Sequence, residues 1–215
     1  MTTVFVALAW VFSLCLHEFS HALVAYRGGD TSVKEKGYLT FNPLKYVDPM
    51  MSLLYPLVFL FIGGIGLPGG AVYIERWRLR SRGWETAVSL AGPAANLLLA
   101  LVLCLPFLLG VRASDEGWFW PAYEFFVVLQ LSAALMNLIP VPPLDGFGAL
   151  APWLPGSLGR DLYRHSNIGM VAVFVLLSFV EPVNQAFWKA IYVLAGGLGV
   201  SPDRAWEGYR AFRFW

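Results

Sequence analysis

Trp10-Val11-Phe12-Ser13-Leu14-Cys15-Leu16-His17-Glu18-Phe19-Ser20-His21-Ala22-Leu23-Val24 places three ionisable side chains inside an apolar run that extends from Thr3 to Tyr26. A run of that length suits a helix crossing a bilayer, which needs about 20 residues. It is longer than a signal-peptide core and lacks a basic start and a small-residue cleavage site, so it is expected to stay in the mature chain. On a helix, His17 and His21 stand four residues apart on one face, where two imidazoles can grip one metal ion with Glu18 beside them. Each ionisable group at membrane depth costs at least about 2.5 kcal/mol on insertion scales. Three within five residues therefore need a common partner, and in this pattern that partner is a metal.

Further apolar stretches run from Pro49 to Pro68, Ala87 to Gly110, Trp118 to Ile139 and Ile168 to Val180, with a weaker one from Val183 to Val200. With 58% hydrophobic and 13% charged residues, the chain is far from a soluble domain, where about a quarter of residues are charged. The fold class is an all-α polytopic membrane protein. The polar segments are too short for a separate domain, so residues 1–215 form one transmembrane domain, with a core at 1–146 and C-terminal helices at 160–215. Fifteen Lys and Arg against 14 Asp and Glu give no basic excess, which excludes nucleic acid as a partner. Cys15 and Cys104 lie in apolar runs and read as packed thiols rather than a disulfide or a cysteine metal cluster.

Two histidines leave a tetrahedral zinc short of ligands; a catalytic site supplies a third protein group and keeps a position for water. Asp30, Glu35, Asp48, Glu75, Glu85, Asp115 and Glu116 fall in polar loops and read as solvated charge, while Glu124 and Glu181 sit near segment ends. Asp145 is the better candidate. It follows Asn137-Leu138-Ile139-Pro140-Val141-Pro142-Pro143-Leu144, where three prolines stop a helix, and precedes Gly146, which permits a tight turn.

Four motifs together resemble the site-2 protease family of intramembrane zinc metalloproteases. They are His17-Glu18-Phe19-Ser20-His21, Asn42-Pro43-Leu44-Lys45 with Asp48-Pro49, Ala91-Gly92-Pro93-Ala94-Ala95-Asn96, and Asn137 through Gly146. The resemblance implies a site-2 protease-like helix bundle and one zinc ion held by His17, His21 and Asp145. It also implies Glu18 as catalytic base, Asn137 as a polar residue beside the site, and cleavage of transmembrane or membrane-associated protein substrates within the bilayer. The chain resembles a compact member without PDZ or CBS domains, in a bacterial or archaeal cell membrane. Other membrane HExxH peptidases, such as a prenyl-protein protease, share the metal pair but leave Asn137 through Gly146 unexplained. A metal-ion transporter or an inactive scaffold would not need a base at Glu18. The Asn137 amide can donate to a developing oxyanion or hold an interhelical bond, and Asn96 can serve packing or substrate contact.

His21, near the end of the first helix, and Asp145, after the fourth stretch, have to meet at one metal. Four full crossings would put them on opposite sides. One stretch therefore does not cross, and Pro49 to Pro68, broken by Pro56, Gly63-Gly64 and Gly66, is the candidate for a re-entrant passage. Arg27, Lys34, Lys36, Lys45, Arg76, Arg78, Arg80, Arg82, Arg160 and Arg164 then share the metal side, with Arg112 across the membrane. The positive-inside tendency places the metal end at the cytosolic face. Gly37 to Phe41 and Ala71 to Ile74 have strand-forming composition, which predicts a short β-hairpin beside the broken stretch, with an edge for an unwound substrate. Trp118, Trp120, Tyr123, Trp206, Tyr209 and Trp215 read as interfacial anchors.

Overall fold

The computed structural model describes residues 1–45, 72–111 and 117–213. Among the described residues, three helices are long and apolar enough to cross a membrane: α1 (Thr2–Gly28), α3 (Arg82–Leu108) and α4 (Phe119–Asn137). Between α1 and α3 lies the single turn α2 (Ser32–Glu35), and after α4 come the short helices α5 (Asp145–Leu150) and α6 (Leu158–Tyr163). Next is a pair, α7 (Ser166–Phe179) and α8 (Glu181–Gly197), bent by 85° and together apolar enough for one broken span. Pro182 at the start of α8 explains the break, since its ring fits only the first turn of a helix. The last element is α9 (Pro202–Phe212).

Among the described residues three apolar clusters join the long helices, and a fourth packs Val173 and Leu177 of α7 against Met136 of α4. Val6, Trp10 and Leu14 of α1 pack on Ala122, Phe125 and Leu129 of α4 and on Phe212 of α9. Ala100 and Cys104 of α3 meet Val127, Val128 and Leu131 of α4 and Ile191 and Ala195 of α8. Cys15, Ala22 and Ala25 of α1 meet Val88 of α3, with Val33 and Tyr38 closing that end. Helix α4 is thus the central post. The outer faces are apolar too: Val4, Leu8 and Phe12 of α1 are exposed at four-residue spacing, and Leu98, Leu101, Val102 and Leu105 of α3 are exposed at i, i+3, i+4 and i+7. A stripe of that size on a helix belongs against lipid.

The expected β-hairpin is not found among the described residues. Gly37, at φ +76°, ends α2, the Tyr38 amide donates to the Val33 carbonyl, and Phe41 stacks on Phe12 and Phe19 instead of entering a ladder. On the other side, side chains replace a neighbouring strand. The Val72 amide donates to Glu18 Oε2, the Glu75 amide donates to Asp30 Oδ2, and Lys36 Nζ donates to the Tyr73 carbonyl. Backbone groups already satisfied this way have no need of a sheet.

The broken stretch Pro49 to Pro68 lies outside the described residues, but the residues flanking it meet. The Arg80 amide donates to the Gly28 carbonyl at 3.0 Å, and Lys36 pairs with Glu75 at 2.9 Å. The chain therefore leaves α1 and enters α3 at one end of the bundle. Asp30 and Glu75, expected to be solvated, are structural instead. Asp30 is fully buried and accepts from Ser32 and from the Glu75 amide. Hydrogen bonds from Lys36 and Arg78 hold the Glu75 carboxyl down at about pKa 2.

At the opposite end, Trp118, Phe119, Trp120 and Tyr123 form one aromatic cluster with Phe5 and Phe107, as interfacial anchors do; Trp215 is outside the described residues. Beside it Glu124, fully buried, accepts from Arg204 Nε at 2.7 Å and from the Ser201 amide at 2.6 Å. This ties α9 to α4. Arg204→Met should cost about 3–5 kcal/mol, because it strands a buried carboxylate. Adding Glu124→Gln should recover most of that loss. Unfolding in detergent measures both; an equal loss in the single and double variants would mean the pair does not act as described.

Candidate metal centre

His17 and His21 lie 11 and 7 residues before the end of α1, or about 16 and 10 Å at 1.5 Å per residue. The site is therefore sunk within the bundle. The rings meet edge to face, with their Nε2 atoms 3.0 Å apart. Asp145 reaches the same point from the first turn of α5, its Oδ2 3.2 Å from His17 Nε2 and 3.4 Å from His21 Nε2. The structure thus brings together the pair and the carboxylate expected from the sequence. Glu124 is held by Arg204 at the far end, and Glu181 accepts from Gln185 in the exposed first turn of α8, so neither of these carboxylates belongs to the site.

The second nitrogen of each ring decides what the first can do. His21 Nδ1 lies 2.6 Å from the Val88 carbonyl, which can only accept, so Nδ1 carries the proton and Nε2 presents a lone pair. His17 Nδ1 lies 2.6 Å from Asn96 Oδ1. The Asn96 amide nitrogen donates to Gln130 Oε1 at 2.9 Å, and Ser13 Oγ donates to the same oxygen at 2.7 Å. That relay directs Asn96 Oδ1 at His17 and gives its ring the same tautomer. Two lone pairs and a carboxylate oxygen with no hydrogen-bond donor then face one another. Their mutual repulsion needs a cation, and an N2O set with room for water suits zinc.

Space is kept by Gly92 of α3. A Cβ there would collide with Nε2 of both histidines, so only glycine lets α3 pass this close. Glu18 is buried beside the pair, and one of its oxygens accepts from the Val72 amide at 3.2 Å. A cavity of about 310 Å³ opens over the site, lined by Glu18, Asn137, Asp145, Val72 and Ile74, with Arg76 and Tyr163 toward its outer side. Asn137 Nδ2 bonds the Ala133 carbonyl at 3.1 Å, which leaves its second N–H uncommitted by that bond. Burial among these groups raises the Tyr163 phenol above its usual range, against the pull of Arg76.

Sequence reading missed Gln130, Ser13 and Val88. Gln130 and Ser13 carry a signal, a polar side chain in a spanning helix that needs a partner. The Val88 contact is made by backbone and leaves none.

Comparison with known proteins agrees with this geometry. No solved structure matches the chain. It is 43% identical over 212 residues to the "Putative zinc metalloprotease Rip2" of Mycolicibacterium smegmatis, covering 99% of the chain and 81% of that protein. The Rip2 protein of Mycobacterium tuberculosis is 42% identical over the same shares. The "Putative zinc metalloprotease YwhC" of Bacillus subtilis is 30% identical over 187 residues, 84% of the chain and 82% of that protein. The family profile of Peptidase family M50 matches residues 5–113, a segment that includes His17, Glu18, His21, Gly92 and Asn96 and ends before Asp145. The chain therefore belongs to peptidase family M50, the site-2 protease family of intramembrane zinc metalloproteases.

Proposed function

We propose that the chain hydrolyses peptide bonds of transmembrane or membrane-associated protein substrates, with His17, His21 and Asp145 holding one zinc ion and Glu18 as the base. The observation that carries this reading is the convergence of three acceptor atoms, all within 4.8 Å of one another, beside a buried carboxylate that takes no part in the cluster. When bound, zinc supplies Lewis acidity to water and to the scissile carbonyl. Glu18, held by Val72 through one oxygen, uses the other to take the proton of the attacking water and returns it to the leaving amine. The uncommitted N–H of Asn137 donates to the developing oxyanion or to the substrate backbone. Residues 1–215 act as a single protease unit, because α9 packs on α1 and α4 rather than standing apart.

The metal end faces the cytosol in this reading. The ten Lys and Arg residues named for that end outnumber the cations opposite, but less steeply than the sequence count implies. Arg204, Arg210 and Arg213 travel with α9 to the far end, where Phe212 packs on Val6 and the Phe212 carbonyl accepts from Thr3. Cysteines at Lys36 and Arg78 should label from the cytosolic side in cells. Labelling of either from the outside would reverse the orientation.

Glu18→Gln should keep about one zinc per chain while cleavage falls by at least about 10²-fold. Asp145→Asn should lose both zinc and cleavage, since a neutral amide is a poor ligand. A reporter with one transmembrane segment, followed alongside metal analysis, reads the two effects separately. Substantial turnover by Glu18→Gln, or full zinc in Asp145→Asn, would reject the corresponding role.

Asn96→Ala removes the acceptor that orients His17 and should weaken zinc affinity by about 10- to 100-fold. Competition with a chelator of known affinity measures it. Wild-type affinity would leave Asn96 a packing residue.

A further inference from the structure

Arg76 and Tyr163, which line the cavity over the site, also line a second cavity of about 490 Å³. Its other charged residues are Arg82 and Glu85 of α3 and Arg160 of α6, and its floor is apolar, built from Pro152, Trp153 and Pro155. Arg76 leans on Tyr163, its Nη2 donating to the phenol oxygen at 3.4 Å, and its Nη1 stands 4.0 Å from Glu85. Glu85 is thus shared by proximity with one guanidinium. Arg82 and Arg160 make no ion pair among the described residues. Nearby Asp161 does not offset them, since it is engaged by Arg164 and Ser157. Three guanidiniums against one carboxylate leave this vestibule with an excess of two positive charges, directly beyond the catalytic cavity.

A substrate chain that leaves the metal centre past Arg76 and Tyr163 would place its next residues in this vestibule. The flank that a membrane protein carries on the cytosolic side is ordinarily rich in Lys and Arg. Such a flank meets two uncompensated guanidiniums and is repelled, whereas an acidic flank is attracted; placing like charges against wrong partners is a common route to specificity. We propose that Arg76, Arg82 and Arg160 form a subsite that receives an acidic segment of the substrate immediately outside the membrane on the metal side, and that the enzyme selects substrates by that charge. The proposal rests on the protease reading above and specifies its substrate class. The Trp153 indole, anchored by its bond to Thr86 Oγ1 at 2.8 Å, gives the segment an apolar surface to lie on.

The test uses the full zinc-loaded chain in neutral phosphatidylcholine vesicles. Three transmembrane peptides differ only in four flank residues, made Asp/Glu, Ser or Lys. Binding to the Glu18→Gln protein is read by fluorescence anisotropy, independently of cleavage. The acidic flank should bind about tenfold tighter than the Lys flank, with the Ser flank between them, and 1 M salt should compress the order because the groups are exposed. The double variant Arg82→Glu/Arg160→Glu should reverse the ranking, with zinc content as the check on folding. Equal binding of all three flanks, or a ranking that survives the charge reversal, overturns the proposal. So does a variant that loses only affinity for anionic vesicles and keeps the peptide ranking, which would make the patch a lipid contact. Cleavage of the Ser-flank peptide by the wild-type protein is scored apart. Its failure would count against the protease reading, while the binding order still decides the subsite.

Discussion

The Nε2 atoms of His17 and His21 and Oδ2 of Asp145 converge at 3.0 to 3.4 Å with no proton of their own to share. Like partial charges held that close inside an apolar bundle repel strongly, since the low dielectric does little to screen them. The rest of the architecture maintains that arrangement. Helix α3 lends a carbonyl and an amide to fix the two tautomers, and its Gly92 yields the space. Helix α4 braces the amide through Gln130. The turn into α5 then brings the carboxylate across from the end of α4.

How far this was legible varied with the kind of group. The His17-Glu18-His21 set and Asp145 are side chains with a recognisable spacing or setting, and charged groups in an apolar run announce themselves. The spanning helices were equally plain, because length and hydropathy decide them. Contacts made through backbone or through missing atoms left less trace. Nothing in the residue Val88 signals that its carbonyl would orient a histidine, and the collision that reserves position 92 for glycine exists only once α1 and α3 are packed. The β-branched and aromatic residues near Gly37 and Val72 suggested strands. Side chains of Glu18, Asp30 and Lys36 captured those backbone groups first, at distances of 2.8 to 3.3 Å. Asp30 misled for a related reason: loop position suggested solvation, whereas its two oxygens are the clamp that closes the gap between α1 and α3.

Charge is distributed unevenly along the bundle in a way that serves different ends at its two poles. Near the metal, Lys and Arg side chains outnumber carboxylates, and several guanidiniums make no ion pair among the described residues. At the far pole helix α9 is fastened inward by Arg204 on a fully buried Glu124. One pole therefore keeps charge available to outside molecules, and the other spends part of it on internal attachment.

The division of the metal centre among three helices also bears on how the chain enters its membrane. Helix α1 is made before the groups that satisfy it: Val88 is 67 residues beyond His21, and Asn96 is 79 beyond His17. At ordinary synthesis rates of about 5–20 residues per second, that is an interval on the order of 3 to 16 s. Until those residues are made, the Nδ1 atoms of His17 and His21 lack their acceptors, and lipid provides no substitutes. Helix α1 alone is thus a poor resident of the bilayer, and it becomes a good one only in company with α3. Satisfaction of the polar groups of α1 is accordingly coupled to the arrival of α3.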